Sequence, residues 1–275
     1  MIRGKTEAET LKKSKGLSEF WGSLLLTGFS PIEWAGNRCG FNCGYCYDIL
    51  NNPQRRVDEP SYLRLLAELW HINKKKQFKR NTYLAQLLRA RYPVTISNHV
   101  DAQANNNFPL FERLMQYLNL YEIPIIVYTK WNPSEEVASK FFKLLDCPTG
   151  IYTSISSMDA GLLSITEPGA ASPQQRFAYI KQATELGHSC LVGINPFRKE
   201  WLGDPRPLLE ACVENGVKGV LLHELYFSKN KLKNMPKGTR NRLGEDAIEA
   251  GLASRRYDAD HSYRDEVGRI AREEF

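Results

Sequence analysis

The sequence predicts an α/β fold, a partial (β/α)6 TIM-like barrel with a C-terminal helical extension. Short apolar runs alternate with longer amphipathic segments, which is the pattern of strand and helix units on a parallel sheet. The alternation predicts six strands with five helices between them. Polar side chains stand where these strands end, which is where parallel barrels gather their chemistry.

The strands are predicted from short runs rich in Ile, Val and other β-forming residues. They lie near residues 32–36, 93–97, 123–129, 150–156, 189–195 and 217–222. Amphipathic segments predict helices at residues 61–75, 109–120, 133 onward, 172–186 and 207–215.

Helix ends carry recognisable signals. Ser172 is a candidate N-cap followed by Pro173 at the first helical position. Gly187 and Gly216 stand where two helices should stop, since glycine accepts the left-handed conformation of a C-terminal cap. Glu135 begins a first turn whose carboxylates suit the positive end of the helix dipole.

The strand and helix alternation stops at about residue 228. Residues 228–239 are polar, basic and rich in Asn, so a loop is predicted there, followed by helices at 243–256 and 262–274. We expect an N-terminal extension over 1–29, the barrel over 30–227, and the basic loop and terminal helices packed on the barrel over 228–275. No internal repeat suggests a solenoid.

Length and composition limit the class of protein. A chain of 275 residues that is 42% hydrophobic can bury one barrel-sized core. It has no apolar run long enough for a bilayer and no signal-peptide stretch, so a cytoplasmic protein without membrane contact is expected. Six Cys in a chain of this size do not form a disulfide scaffold.

The net charge of +6 is unevenly distributed. One basic patch covers residues 74–80, and a second contains Lys229, Lys231, Lys233, Lys237, Arg240 and Arg242. Either patch could bind phosphates of a nucleic acid, or could simply be a solvated surface.

Cys39, Cys43 and Cys46 place three thiols within eight residues. Metal sites closed by protein alone usually take four ligands, and only three are local here. A [4Fe–4S] cluster with one iron open to an outside ligand fits this spacing. The alternative is a structural zinc with a fourth ligand from a distant histidine or from Cys147, Cys190 or Cys212, which otherwise read as buried apolar residues.

Polar side chains at the strand ends are the remaining site candidates. A Lys there suits a carboxylate, and a Ser suits a ribose hydroxyl or an amino-acid head group. Each residue also has a simpler interpretation as an ion-paired, turn-capping or packing residue. The candidates are His99, Asp101, Lys130, Ser154, Ser156, Asn195 and His223.

The spacing C-x3-C-x2-C, with Tyr45 before the third Cys, resembles radical S-adenosylmethionine (radical SAM) enzymes. The resemblance implies that Cys39, Cys43 and Cys46 hold a [4Fe–4S] cluster whose open iron binds S-adenosylmethionine. Reductive cleavage would then produce a 5′-deoxyadenosyl radical that abstracts hydrogen from a substrate. It also implies that Tyr45 lies against the adenine, and that a reducing partner such as flavodoxin or ferredoxin supplies the electron.

From about residue 30 to 224 the chain is similar to the spore photoproduct lyase-like branch, described as DNA repair photolyase-type. The similarity rests on residues 154–159 (SISSMD), 167–176 (EPGAASPQQR), 129–130 (TK) and 45–47 (YCY).

This branch implies roles for individual residues. Lys130 and Ser154 would contact the methionyl part of S-adenosylmethionine, and we place Tyr45, Ser156 and Asn195 in the same cofactor set. Glu167 and Arg176 are either a buried ion pair or cofactor contacts. The candidate catalytic residues are Tyr47, which resembles a tyrosine implicated in hydrogen-atom return, together with His99 and Asp101.

The chain also departs from the branch. Spore photoproduct lyase has a hydrogen-donating Cys at the second strand, and residues 94–101 contain none. Thymine-dimer reversal is therefore not implied. The basic patches and the branch make nucleic acid the leading substrate class, either for a repair-like reaction or for base modification. The alternatives are a peptide or small metabolite as substrate, or a nucleic-acid-binding module with a structural metal site.

Overall fold

The computed structural model describes residues 39–46, 94–96, 125–131, 135–145, 149–225, 228–253 and 261–275, with ten further residues between 101 and 119. The predicted strand at 32–36, the helix at 61–75, and Cys147, Tyr47 and His99 lie outside the described residues.

Five parallel strands form one sheet in sequential order. They are β1 (Val94–Ile96), β2 (Ile125–Thr129), β3 (Thr149–Ser154), β4 (Ser189–Ile194) and β5 (Val220–Leu222). Each coincides with a predicted strand, so the α/β class and the parallel order are confirmed. Sequential order brings the ends of β2, β3 and β4 to one edge of the sheet, where the site lies.

Helices connect and follow the strands. In chain order they are Glu135–Lys143, Ala160–Thr166, Pro173–Glu185, Lys199–Leu202, Arg206–Glu214, Lys229–Asn234, Lys237–Arg240, Glu245–Leu252 and His261–Glu274. Two of these helices, Ala160–Thr166 and Lys199–Leu202, were not predicted from the sequence. Both are short, and the first depends on Asp159, whose side chain accepts hydrogen bonds from Gly161 N and Leu162 N.

The predicted capping signals operate as expected. Ser172 Oγ accepts from the Gln175 backbone N–H, and the Gln175 side chain accepts from the Ser172 N–H, forming a capping box. Gly187 and Gly216 have φ of 86° and 72°, which is the left-handed conformation of a helix stop.

The main hydrophobic core lies between the helices and one face of the sheet, which we call the outward face. Ile125, Val127, Ile151, Val192 and Ile194 are buried there with Phe141, Tyr179, Ile180, Leu208 and Leu209 of the helices. Alternation along a strand sends the intervening residues to the opposite, inward face. Ser154 and Tyr152 are on this second face, so the chemistry is carried on the side away from the helices.

The predicted loop at 228–239 is wrong, because the structure has two short helices there. The buried residues of this segment recur every three to four positions, which is helical spacing. The charged residues between them made the segment look like a loop. Leu232, Met235, Leu243 and Ala247 form a second hydrophobic cluster with Tyr45, Leu162, Trp201 and Leu225. Burial of this stripe explains why a polar segment is helical.

Cys190 and Cys212 are fully buried among core residues, as expected for small apolar side chains. Every helix in the described part of the chain is too short or too polar to cross a bilayer.

Candidate cluster and cofactor site

The three clustered cysteines lie on one loop as free thiols. All three are half-buried, whereas the aromatic rings of Phe41 and Tyr45 between them are buried. The Cys46 backbone N–H donates to the Cys43 carbonyl at 3.0 Å. Asn42 has φ of 50°, so the chain takes a left-handed residue in the middle of the motif. The rings anchor the loop, and its three cysteines stay partly exposed.

The loop is fastened to the segment that follows the Ala160–Thr166 helix. Gly44 N donates to Thr166 O at 2.8 Å, and Gly169 N donates to Phe41 O at 2.9 Å. A Cβ on Gly169 would lie 2.6 Å from the Gly40 carbonyl oxygen, closer than side chains approach. The glycine of the motif at 167–176 is therefore required for backbone contact with the cysteine loop. Sequence analysis did not assign it a role.

The opposite side of the loop is covered by the C-terminal helices. A Cβ on Gly44 would meet Thr239 Oγ1 at 2.0 Å, so the Lys237–Arg240 helix lies directly on the loop. This contact was not predicted from the sequence, where its signal was the helical spacing of the buried residues.

Glu167 is the centre of a buried ionic network. Its Oε1 accepts from Lys130 Nζ at 2.8 Å and from Ser156 Oγ at 3.3 Å, and its Oε2 pairs with the Arg176 guanidinium. The side chains of Glu167 and Arg176 are 0% and 1% exposed, and that of Lys130 is 15% exposed. Glu167 and Arg176 thus form a buried ion pair, and a cofactor contact of either residue stays a prediction.

The charges of this network determine its protonation. Burial alone would raise the pKa of Glu167, but the adjacent Lys130 and Arg176 lower it to about 2. Glu167 is then an anion at neutral pH, between two cations. The group of three carries one net positive charge beside the cysteine loop, which favours an anionic ligand.

Tyr45 joins this network to the loop. Its hydroxyl donates to Glu167 Oε1 and accepts from Lys130 Nζ. Its ring centroid is 5.7 Å from that of Trp201 and 4.6 Å from Lys130 Nζ, a cation–π distance. Burial, followed by the charge of Glu167, raises the pKa of the hydroxyl well above its usual range, so it remains a donor. The predicted adenine contact of Tyr45 stays a prediction.

Asp101 holds the end of β2. Its carboxylate accepts from Lys130 N at 2.7 Å, Gln103 N at 2.9 Å and Thr129 Oγ1 at 3.0 Å. Burial raises its pKa to about 6 against the lowering effect of these hydrogen bonds. The geometry makes Asp101 a residue that orients Lys130, and its predicted catalytic role stays a prediction.

The remaining candidates meet near the ends of β3, β4 and β5. Ser154 Oγ donates to Asn195 O at 3.0 Å, and Arg176 Nη1 donates to Ser154 O at 2.6 Å. His223 packs edge-on to the Tyr152 ring at 6.0 Å between centroids, and burial lowers its pKa. This contact favours the packing interpretation of His223.

The cysteine donor set suits a cluster with three protein ligands. Among the described residues, no three His, Cys, Asp or Glu side chains converge closely enough to hold one metal ion. A [4Fe–4S] cluster needs no such convergence, because each thiolate binds a different iron atom. Burial raises the pKa of the Cys39 and Cys43 thiols, so bound iron rather than the protein would keep them ionised.

Solved structures of spore photoproduct lyase are similar to this chain. A double mutant of spore photoproduct lyase with bound AdoMet (S-adenosylmethionine) and dinucleoside spore photoproduct matches with a TM-score of 0.56 and 14% identity over 84% of this chain and 69% of that one. The chain has the fold of spore photoproduct lyase. The lyase in complex with dinucleoside spore photoproduct matches with a TM-score of 0.55, 14% identity and the same coverage. No protein-family model and no curated protein matches the sequence.

Proposed function

We propose that the chain is a radical SAM enzyme that cleaves S-adenosylmethionine reductively at a [4Fe–4S] cluster on Cys39, Cys43 and Cys46, and abstracts hydrogen from a substrate. One observation carries this proposal: the loop with three free thiols is joined through Tyr45 to the buried network of Lys130, Glu167 and Arg176. When bound, the cluster would supply the electron that cleaves the sulfonium and so initiates radical chemistry.

The residues around the loop have defined tasks in this proposal. The net positive charge of the Glu167 network attracts the carboxylate of S-adenosylmethionine, and Lys130 is the partly exposed cation within it. Asp101 orients the Lys130 backbone. Ser154 and Ser156, whose hydroxyls lie at the same edge of the sheet, are the proposed polar contacts for the rest of the cofactor, with Asn195 beside them.

The C-terminal helices exclude water from one side of the site. Leu232, Met235 and Leu243 are buried against Tyr45, and Cys43 packs on the same cluster. An apolar cover strengthens the electrostatic interactions beneath it and protects a reactive intermediate from solvent.

Nucleic acid is the proposed substrate class. Five basic side chains of the second patch are exposed around these helices, which supports contact with phosphates: Lys229, Lys233, Lys237, Arg240 and Arg242. Salt-dependent retardation of DNA or RNA is expected, and salt-insensitive binding of peptides or metabolites alone would contradict this class.

The test of the chemistry is 5′-deoxyadenosine production. After anaerobic reconstitution we expect about four irons per chain, and after reduction, release of 5′-deoxyadenosine from S-adenosylmethionine. Cys39→Ala should abolish both while the circular dichroism spectrum is retained, and Cys212→Ala, remote from the loop, serves as the matched cysteine control. A fully loaded, reduced protein that makes no 5′-deoxyadenosine would exclude the proposal. Loss of the fold in Cys39→Ala would instead indicate a structural metal.

A further inference from the structure

The hydroxyl of Tyr45 is enclosed by protein groups. Tyr45 is 6% exposed, and its ring packs against Trp201 at 5.7 Å between centroids. The hydroxyl donates to Glu167 Oε1, and it lies 3.3 Å from the Asn195 carbonyl oxygen. Glu167 and Asn195 belong to different elements of the fold, so packing and hydrogen bonds fix the position of the hydroxyl from more than one side. A hydroxyl held in this way can act on a ligand through its neighbours.

The neighbour that depends on the Tyr45 hydroxyl is Lys130. The Lys130 ammonium group donates to the Tyr45 oxygen and, at 2.8 Å, to Glu167 Oε1. Because Glu167 Oε1 also accepts from the Tyr45 hydroxyl, the three polar atoms form a closed triangle of hydrogen bonds. The ammonium nitrogen lies 4.6 Å from the centroid of the Tyr45 ring as well, so the ring and the hydroxyl both hold it.

The triangle determines where the Lys130 ammonium group can donate next. An ammonium group has three N–H donors on a flexible side chain. The triangle uses two of them, and in a tetrahedral group two fixed directions also fix the third. Among the residues that the structure describes, no further acceptor contacts Lys130 Nζ. The Lys130 side chain is 15% exposed, whereas those of Glu167 and Arg176 are 0% and 1% exposed. Lys130 is therefore the charged member of the network that an incoming ligand reaches.

We propose that Tyr45 is a positioning residue whose hydroxyl, together with Glu167, directs the third donor of Lys130 at the carboxylate of S-adenosylmethionine. This inference rests on the proposed function, in which Lys130 attracts that carboxylate. Without the hydroxyl, the ammonium group keeps its hydrogen bond to Glu167 and can rotate about it. The charge then stays in place, but its donor is no longer held in one direction, so a charge-assisted hydrogen bond to the cofactor is weakened.

The test is a double-mutant cycle on the affinity for S-adenosylmethionine, measured by equilibrium dialysis of the reconstituted protein under anaerobic conditions. Tyr45→Phe removes the hydroxyl and keeps the ring against Trp201. We expect this variant to keep the full iron content and to raise Kd about tenfold. In the Lys130→Met background the same change should leave Kd unaltered, because the group that the hydroxyl positions is absent.

Tyr263→Phe is the matched control. Its hydroxyl donates to the Gly203 carbonyl at 2.7 Å, so the change also removes one tyrosine hydrogen bond, and it should leave Kd unchanged. An equal loss of affinity in Tyr263→Phe would overturn the inference, as would an unchanged Kd in Tyr45→Phe or in Lys130→Met. Reduced iron content in Tyr45→Phe would overturn it too, because the hydroxyl would then act on the cluster.

The cycle separates action through Lys130 from an independent role of the hydroxyl. Equal effects of Tyr45→Phe with Lys130 and with Lys130→Met would overturn the inference. If binding to Lys130→Met is too weak to measure, Lys130→Arg replaces it, because a planar guanidinium cannot reproduce the tetrahedral arrangement of donors. Equal effects of Tyr45→Phe with Lys and with Arg at position 130 would then overturn it. If the unchanged protein assembles no cluster or binds no S-adenosylmethionine, the proposed function itself has failed.

Discussion

Replacing Glu167 with Gln should destabilise the protein strongly, although the two side chains have nearly the same shape. The carboxylate is fully buried and compensates the equally buried guanidinium of Arg176. Gln removes the charge, so Arg176 is left as a buried cation whose remaining hydrogen bond is to the Ser154 carbonyl.

The loss of stability expected for Glu167→Gln can be calculated in two independent ways. Removing one partner of a buried ion pair typically costs about 3 to 5 kcal/mol. A pKa lowered from 4.5 to about 2 corresponds to about 3 kcal/mol of stability at neutral pH. For a domain of this size the expected fall in Tm is about 10 °C.

The assay is thermal unfolding of the anaerobically purified chain without added iron, followed by circular dichroism. Arg176→Met and the double variant complete a mutant cycle, and the double variant should lose less stability than the sum of the single variants, because the fully buried guanidinium is removed together with its carboxylate. Glu136→Gln breaks the exposed pair with Lys140 and should leave Tm unchanged, since surface ion pairs contribute little.

The pH dependence gives a second check. Because the folded-state pKa of Glu167 is depressed, its contribution is present above pH 4.5 and is lost as the pH falls toward about 2. The Tm difference between the unchanged protein and Glu167→Gln should therefore narrow across that interval. A Glu167→Gln variant with unchanged Tm at neutral pH would refute the reasoning.

Three further predictions concern close packing and capping. Gly169→Ala should reduce iron loading, because the new methyl would lie 2.6 Å from a carbonyl oxygen of the cysteine loop. Gly268→Ala is the control and should keep full loading, because its methyl would make only ordinary contact at 3.6 Å. Equal iron content in the two variants would contradict this prediction. Ser172→Ala removes the cap and should lower Tm by about 2 to 4 °C, measured by calorimetry. Gly193→Ala should lower the yield of folded protein in gel filtration, because its Cβ would lie 1.5 Å from the hydroxyl of Tyr152, and a normal yield would show that the ring can move.

Much of the fold followed from local patterns in the sequence. The runs that became β1 to β5 are short and rich in Ile, Val and other β-forming residues, which is a local signal. The cap at Ser172 and the stops at Gly187 and Gly216 depend only on adjacent residues. The helices at 229–234 and 237–240 could not be predicted from local patterns, because their charged composition suggested a loop.

The sequence by itself determined the α/β alternation, the triplet of cysteines and the polar residues at the strand ends. Only the tertiary structure decided which of those residues contact one another. Tyr45 and Glu167 are 122 positions apart and share a hydrogen bond, and Leu232 is buried in one cluster with Tyr45 from a segment predicted to be a loop. Spacing records which residues share a local element, whereas the compensation of a buried charge depends on which elements pack together.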